Sequence, residues 1–236
     1  MEKFMKKSFI FALLCILLFT AAVSAAPQVS EQIDLIAANA ELWKQDVEFG
    51  LWGFTVTDLD HNGRLEIISA SVQGTGFYTY IKAFEIDEEG SALNDIYSGN
   101  NNKGNSAPDI MVSTVPFYFD KESGIYHYIF DDYIRNGMAE NYQNKRAVSL
   151  TDGKWEETPL ASMSTIYTDA EHYTITCTDA DGAPISEAEY DSIADKVFGN
   201  LEQNEAEFDW QMTDNDEFSV LTTQQIKDKL NNVSNL

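Results

Sequence analysis

Apolar residues near the start of the chain recur at three- and four-residue spacing, and further along they alternate with polar ones. The helically spaced set comprises Ile33, Ile36, Ala37, Ala40 and Trp43. With Ser30 as a candidate N-cap, this spacing predicts an amphipathic helix over residues 30–44. Alternation then begins at Trp52 and Phe54, which favours strands from there onwards.

Strand-like runs follow one another and are separated by short turn sequences. They cover residues 65–72, 77–86, 111–119, 125–134, 147–150, 154–157, 163–167 and 173–178. Turns such as 120–124 and 151–153 are typical of antiparallel hairpins. Ser186 and Glu189 form a capping-box pattern that opens a helix, and another helix is predicted to begin near Thr222 or Thr223. We therefore predict an α+β fold with an N-terminal helix, a twisted antiparallel β-sheet in meander order, and C-terminal helices.

The first 25 residues have the features of a signal peptide. A basic segment with Lys3, Lys6 and Lys7 precedes an apolar run from Phe9 to Ala22, and the residues after that run favour cleavage following Ala25. The run is shorter than the roughly 20 residues of a membrane-spanning helix. We therefore expect an exported protein, secreted or associated with the cell surface. Its mature part, residues 26–236, is predicted to be a single α+β domain, with room for a small C-terminal helical appendage and without a membrane span.

Acidic residues dominate the charge and exclude one class of partner. The net charge is −24, and it becomes −26 when Glu2 and the three lysines of residues 1–25 are removed. Such a surface repels nucleic acid and anionic lipid, so we expect no nucleic-acid partner. Cys177 is the only cysteine after cleavage, so no intramolecular disulfide is expected. We expect a monomer whose partner is an extracellular ligand or protein that the sequence does not identify.

One short loop carries the most specific chemistry in the sequence. It reads Asp58-Leu59-Asp60-His61-Asn62-Gly63-Arg64-Leu65-Glu66, with oxygen-bearing side chains at the first, third, fifth and ninth positions and glycine at the sixth. This spacing wraps hard oxygen ligands around Ca²⁺. The predicted ligands are the side chains of Asp58, Asp60, Asn62 and Glu66 and the backbone carbonyl of Arg64. The side chains of His61 and Arg64 are expected to point outwards.

The loop differs from a helix–loop–helix EF-hand, which needs a bidentate glutamate at the twelfth position, where this chain has Ser69. It resembles the nine-position calcium loop of FG-GAP-type repeats, Asp-x-Asp-x-Asp-Gly-x-x-Asp/Glu between two strands. Single loops of this form occur in poorly characterised secreted proteins of Gram-positive bacteria, and the segment Gly182 to Tyr190 also resembles the entry to a late helix in those proteins. The resemblance implies a structural Ca²⁺ and no particular activity. Because the pattern occurs once, a propeller of calcium-loop repeats is not expected.

The same residues also fit a simpler structure. Asn62-Gly63 between alternating strands is a strong signal for a metal-free β-hairpin. A bare turn, however, does not require carboxylates at Asp58, Asp60 and Glu66, which would repel one another without a cation. We therefore favour the metal site and keep the bare hairpin as the alternative. A second acidic stretch, residues 179–187, has no side-chain oxygen at its fifth position and is interpreted as a turn before a helix.

Aromatic residues are frequent in three of the predicted strands, at 77–80, 117–119 and 126–133. They form either part of the core or a stacking platform for a sugar or peptide. Alternation on strands places about half of them inside, and we favour the core.

No catalytic motif stands out in the sequence, and no catalytic residue is predicted. His61, His127 and His172 are scattered, and Cys177 lies in a strand-like run where a structural thiol is expected. We predict an exported, non-enzymatic binding or interaction module with one structural Ca²⁺. Two alternatives stay open: a secreted hydrolase whose catalytic carboxylates cannot be recognised from sequence, and an acidic secreted inhibitor of a basic partner.

Overall fold

Twelve strands and six helices make up the part of the chain that the computed structural model describes, residues 28–48, 50–97, 107–169 and 171–233. The strands are β1 (Trp52–Thr57), β2 (Glu66–Gln73), β3 (Tyr78–Ile86), β4 (Leu93–Asp95), β5 (Thr114–Asp120), β6 (Ile125–Asn136), β7 (Glu140–Thr151), β8 (Lys154–Tyr167), β9 (Tyr173–Asp179), β10 (Pro184–Ile185), β11 (Glu202–Glu207) and β12 (Gln211–Thr213). The helices are α1 (Val29–Ala38), α2 (Ala40–Trp43), α3 (Glu187–Asp191), α4 (Ile193–Phe198), α5 (Asn215–Ser219) and α6 (Thr223–Val233). The predicted signal peptide, residues 1–25, lies outside the described residues.

The fold is α+β with antiparallel pairing, as predicted, but its strands form two sheets where a single sheet was expected. The first sheet has the order β12-β1-β2-β3-β4, and the second has the order β10-β9-β8-β7-β6-β5-β11. The burial pattern of β2 explains why there are two sheets, because the first six residues of this strand are all buried. A strand buried on both faces lies in an inner layer, with one face on helices and the other on a second sheet.

Alternation along β2 defines the layers. Ile67 belongs to a core formed with helices α1, α2, α5 and α6, whereas Ile68 belongs to a core shared with the second sheet. A third cluster covers the outer face of the second sheet with Tyr190 of α3 and Ile193 of α4. The described residues therefore stack as helices, sheet, sheet and helices.

The predicted N-terminal helix is present but is broken near its middle. Helix α1 ends at Ala38 and α2 begins at Ala40, with Asn39 between them in a non-helical conformation. The Asn39 side chain donates a hydrogen bond of 2.8 Å to the Leu35 carbonyl, and such local bonds compete with the helical ladder. The predicted N-cap is wrong, because Gln28 occupies that position and Ser30 lies inside the helix.

The C-terminal region matches the prediction in part. Ser186 and Glu189 make both hydrogen bonds of the capping box before α3, and α6 begins at Thr223. The stretch from Asp214 to Glu217 lies outside the helices that the sequence analysis predicts, yet it caps and opens α5. Of the helices within the described residues, none has both the length and the apolar character that crossing a membrane requires.

Candidate metal centre

The predicted metal-binding loop joins two neighbouring strands of the first sheet. Strand β1 ends at Thr57 and β2 begins at Glu66, and these two residues are paired across the hairpin. The backbone is left-handed at His61 (φ 56°) and at Gly63 (φ 84°), which turns the chain back on itself. The expectation that strands flank the loop is confirmed.

Three of the predicted ligands come together in the folded chain. Asp58, Asp60 and Glu66 each offer one carboxylate oxygen, and these oxygens all lie within 4.8 Å of one another. The two aspartates are partly exposed, whereas Glu66 is buried. Carboxylates at this spacing are close enough to share one metal ion.

Glu66 has an unusual environment, because its side chain is 0% exposed and one of its oxygens has no hydrogen-bond partner among the described residues. Its Oε2 accepts a hydrogen bond of 2.6 Å from the Leu59 amide. Its Oε1 is buried and has no hydrogen-bond partner among the described residues. Burial raises the pKa of this carboxyl well above its ordinary value, and the charges of Asp60, Asp58 and Glu85 raise the pKa further. Burial and these like charges therefore disfavour the ionised form of Glu66.

The aspartates of the loop are turned inward by hydrogen bonds to its backbone. Asp58 Oδ1 accepts from the Asn62 amide and Oδ2 accepts from the Gly63 amide, each at 3.0 Å. Asp60 Oδ1 accepts from the same Asn62 amide at 3.3 Å. Bonds of this kind stabilise tight turns. They hold both carboxylates beside Glu66.

Asn62 directs its amide nitrogen, rather than its oxygen, towards the carboxylates. Its Nδ2 donates to Asp60 Oδ2 at 2.9 Å and to Glu85 Oε1 at 2.8 Å. Its Oδ1 accepts a hydrogen bond of 2.7 Å from the Arg64 amide. In this arrangement the amide hydrogens offset part of the negative charge. Rotation of the amide group would exchange its two ends and present the oxygen expected of a ligand.

The two side chains that were expected to point outwards behave differently from each other. His61 is exposed, and its ring packs on Tyr126 with the ring centroids 4.3 Å apart. The expectation for Arg64 is wrong, because its guanidinium forms an ion pair with Glu85 at 2.6 Å. A second, exposed carboxylate, Glu88, lies 3.8 Å from the same guanidinium. The Arg64 side chain therefore compensates the charge of Glu85, which lies beside the loop.

Glu85 is the component of the site that the sequence reading missed. It lies directly opposite Glu66 in the β2–β3 ladder and is only 2% exposed. Its charge is the next cause, after burial, of the raised pKa of Asp60. A charged residue between two apolar neighbours in a predicted strand was the available signal. Only the pairing register of β2 and β3 shows that this residue belongs beside the loop.

The loop also contacts the second sheet. The Tyr128 hydroxyl of β6 donates to the Leu59 carbonyl at 2.9 Å, and both groups are buried. At the β7–β8 turn, a Cβ placed on Gly153 would lie 3.1 Å from Glu85 Oε2, so glycine allows a close approach there. The acidic cluster therefore lies at the edge of the interface between the two sheets.

The sequence also singled out an acidic stretch, a cysteine and a set of aromatic residues. The acidic stretch after β9 is a turn in which Asp179 Oδ1 accepts hydrogen bonds from the amides of Asp181 and Ala183. Cys177 is a buried free thiol in the cluster beneath α3 and α4. Among the aromatic residues that were assigned to the core, Tyr118 and Tyr128 are buried, but the assignment is wrong for Phe77, Tyr78 and Tyr80, which are exposed.

Comparison with known proteins gives no relative from which a family or activity can be assigned. No protein-family model, no curated protein and no solved structure matches the chain. The case for a function therefore depends on the geometry of the site.

Proposed function

We propose that the loop from Asp58 to Glu66 binds Ca²⁺ and that the ion stiffens an exported, non-enzymatic binding module. The observation that supports this most strongly is Glu66 Oε1, a buried carboxylate oxygen without a hydrogen-bond partner among the described residues, beside two further carboxylates. A buried charge without compensation is strongly unfavourable, and a bound cation supplies the compensation. A bare Asn62-Gly63 hairpin offers Glu66 no such partner.

The available donors favour Ca²⁺ over a transition metal. Carboxylate oxygens are hard ligands, whereas zinc and copper select imidazole and thiolate donors. The His61 ring packs on Tyr126, and Cys177 belongs to a different core cluster. With the Asn62 amide rotated and the Arg64 carbonyl added, the loop supplies five ligand groups. Water completes the six to eight oxygens that Ca²⁺ takes, whereas Mg²⁺ demands near-ideal octahedral geometry.

A binding role is supported by aromatic side chains at the opposite end of β3 from Glu85. Phe77, Tyr78 and Tyr80 are between 42% and 49% exposed, although large aromatic side chains are usually buried. The Arg135 guanidinium lies 5.9 Å from the centre of the Phe77 ring and adds a polar group to this surface. Exposed aromatic clusters with polar neighbours are typical of contact sites. In this proposal the ion rigidifies the sheet that presents them.

Thermal unfolding in Ca²⁺, in Mg²⁺ and in EDTA tests the proposed ion. Ca²⁺ at about 100 times its dissociation constant should stabilise the folded chain by about 2.7 kcal/mol. Asp60→Asn should remove this stabilisation, because it replaces a charged ligand. Asp179→Asn is the matched control, since Asp179 also accepts amide hydrogen bonds in a turn but lies outside the cluster. Identical melting curves in Ca²⁺ and EDTA would overturn the proposal and leave the bare hairpin.

A further inference from the structure

Helix α1 contacts the loop from Asp58 to Glu66, which we call the metal loop, through one buried side chain. Gln32 is 1% exposed, and its Nε2 donates to the Gly63 carbonyl at 2.9 Å. Its Oε1 accepts from the Leu65 amide at 2.7 Å. The two ends of one amide group thus hold the backbone on both sides of Arg64. We call this pair of hydrogen bonds the Gln32 clamp.

The clamp fixes the direction of a predicted ligand. In a trans peptide unit the carbonyl and the amide N–H point in opposite directions. Since the Leu65 N–H points at Gln32, the Arg64 carbonyl in the same peptide unit points away from helix α1. The Gly63 carbonyl is directed towards Gln32 by the other hydrogen bond, so it is turned away from any ligand role.

The helix that carries the clamp is itself held in the core. Ile33 and Ile36 are buried in the same cluster as Leu230 of α6, and neither isoleucine is more than 1% exposed. The position of Gln32 therefore depends on how α1 and α6 pack on the first sheet. Movement of α1 away from the sheet would break both hydrogen bonds of the clamp.

We infer that Gln32 is a positioning residue for the ion, and that through it the docking of helix α1 sets the affinity of the loop. This inference rests on the proposed Ca²⁺ site and adds its regulation by the N-terminal helix. Coupling between two binding equilibria is reciprocal, so the ion also favours the docked helix. A partner that displaces α1 would lower the affinity for Ca²⁺.

Calcium titration of two matched glutamine variants tests the clamp. Gln32→Met keeps the volume of the side chain and removes both hydrogen bonds, and we expect it to weaken Ca²⁺ binding about 10- to 100-fold, as loss of an outer-shell partner does. Gln45→Met is the control, because Gln45 is also buried (3% exposed) and donates to the Ser69 carbonyl of β2 at 2.9 Å. Gln45→Met should leave the affinity unchanged. Equal losses in the two variants would overturn a specific role for Gln32.

Two further measurements separate failure of the clamp from failure of the metal site. Gln32→Asn keeps the amide and shortens its reach, so it should behave like Gln32→Met if the geometry of the clamp matters. Hydrogen exchange in EDTA should show faster exchange of the Leu65 amide in Gln32→Met than in Gln45→Met. Unchanged exchange would overturn the clamp whether or not the ion binds. If the Leu65 amide exchanges faster in Gln32→Met but the unsubstituted chain binds no Ca²⁺, the metal site and its coupling to helix α1 are overturned. Only the hydrogen-bonded contact between Gln32 and the loop would then remain.

Discussion

Glu66 and Glu85 lie directly opposite each other on strands β2 and β3, and neither glutamate is more than 2% exposed. Like charges in directly opposed positions destabilise a sheet. Glu85 is compensated by the Arg64 guanidinium and the Asn62 amide, which both contact its Oε1. Glu66 receives only the Leu59 amide at Oε2 among the described residues. The charge of Glu85 is therefore compensated, and a cation bound at Glu66 would compensate the second charge of the pair.

Replacing Glu66 with glutamine should have opposite effects on the two states of the protein. The new side-chain amide would keep an oxygen for the Leu59 amide and remove the uncompensated charge. In EDTA at neutral pH, we expect Glu66→Gln to raise the free energy of unfolding by about 1–3 kcal/mol, the range for a buried polar group without a partner. In Ca²⁺, we expect the same variant to lose the stabilisation by the ion. Urea unfolding in both buffers measures the two effects, and a loss of stability in EDTA would contradict the first.

The contribution of Glu66 to the stability of the metal-free protein should fall as the pH rises above 4.5. Burial raises the pKa of Glu66 well above its ordinary value of 4.5, and nearby carboxylates raise that pKa further. Between the unfolded and folded pKa values the folded chain holds more protons, so its free energy of unfolding falls with rising pH. Below 4.5 both states are protonated, and the slope from this group disappears.

The Glu66→Gln variant provides the reference for this pH dependence. Exposed carboxyls such as Asp87 and Asp120 have lowered pKa values because they accept hydrogen bonds in turns, and their effect on stability has the opposite sign at low pH. Both proteins share those groups, so the difference between their unfolding curves in EDTA isolates Glu66. Parallel curves across the whole range would show that Glu66 has an ordinary pKa in the folded chain.

Arg64→Ala should destabilise the metal-free protein, in contrast to the expectation of an outward-pointing side chain. The substitution leaves Glu85 buried without its ion pair. We expect a loss of about 2 kcal/mol, less than for a fully buried pair, because the Arg64 side chain is 21% exposed. Arg135→Ala is the control, since Arg135 is exposed and contacts the Phe77 ring at the surface. Chemical denaturation of both variants in EDTA compares the losses, and equal losses would argue against a role for the Arg64–Glu85 pair.

The cluster of three carboxylates could be predicted from sequence because its residues are close neighbours along the chain. Asp58, Asp60 and Glu66 needed only a turn at Gly63 to come together. Gln32 and Glu85 could not be predicted in the same way. Their contacts depend on how α1 packs and on the register of β3, and neither is encoded in local spacing.

The division of the strands into two sheets could not be predicted from the local sequence pattern either. Alternation identifies a strand with one buried face, but β2 begins with a run of six residues buried on both faces, although Glu66, Ser69 and Ser71 in that run are polar. Such a run does not specify what covers each face. The missed helix α5 has a similar cause, because its first turn contains Asp216 and Glu217 and only Phe218 shows that the segment packs inward.

Phe218 provides the test of that inward packing. Its ring centroid lies 4.9 Å from that of Trp52 and 5.3 Å from that of Trp43, and its side chain is 5% exposed. Phe218→Ala should lower the free energy of unfolding by about 3–5 kcal/mol, as removal of a buried aromatic ring does. Val220→Ala is the control, because Val220 is 76% exposed, and it should have little effect. If the segment were a solvated loop, both variants would unfold at the same denaturant concentration as the unsubstituted chain. A large loss confined to Phe218→Ala would instead establish α5 as part of the core that also holds the helix carrying Gln32.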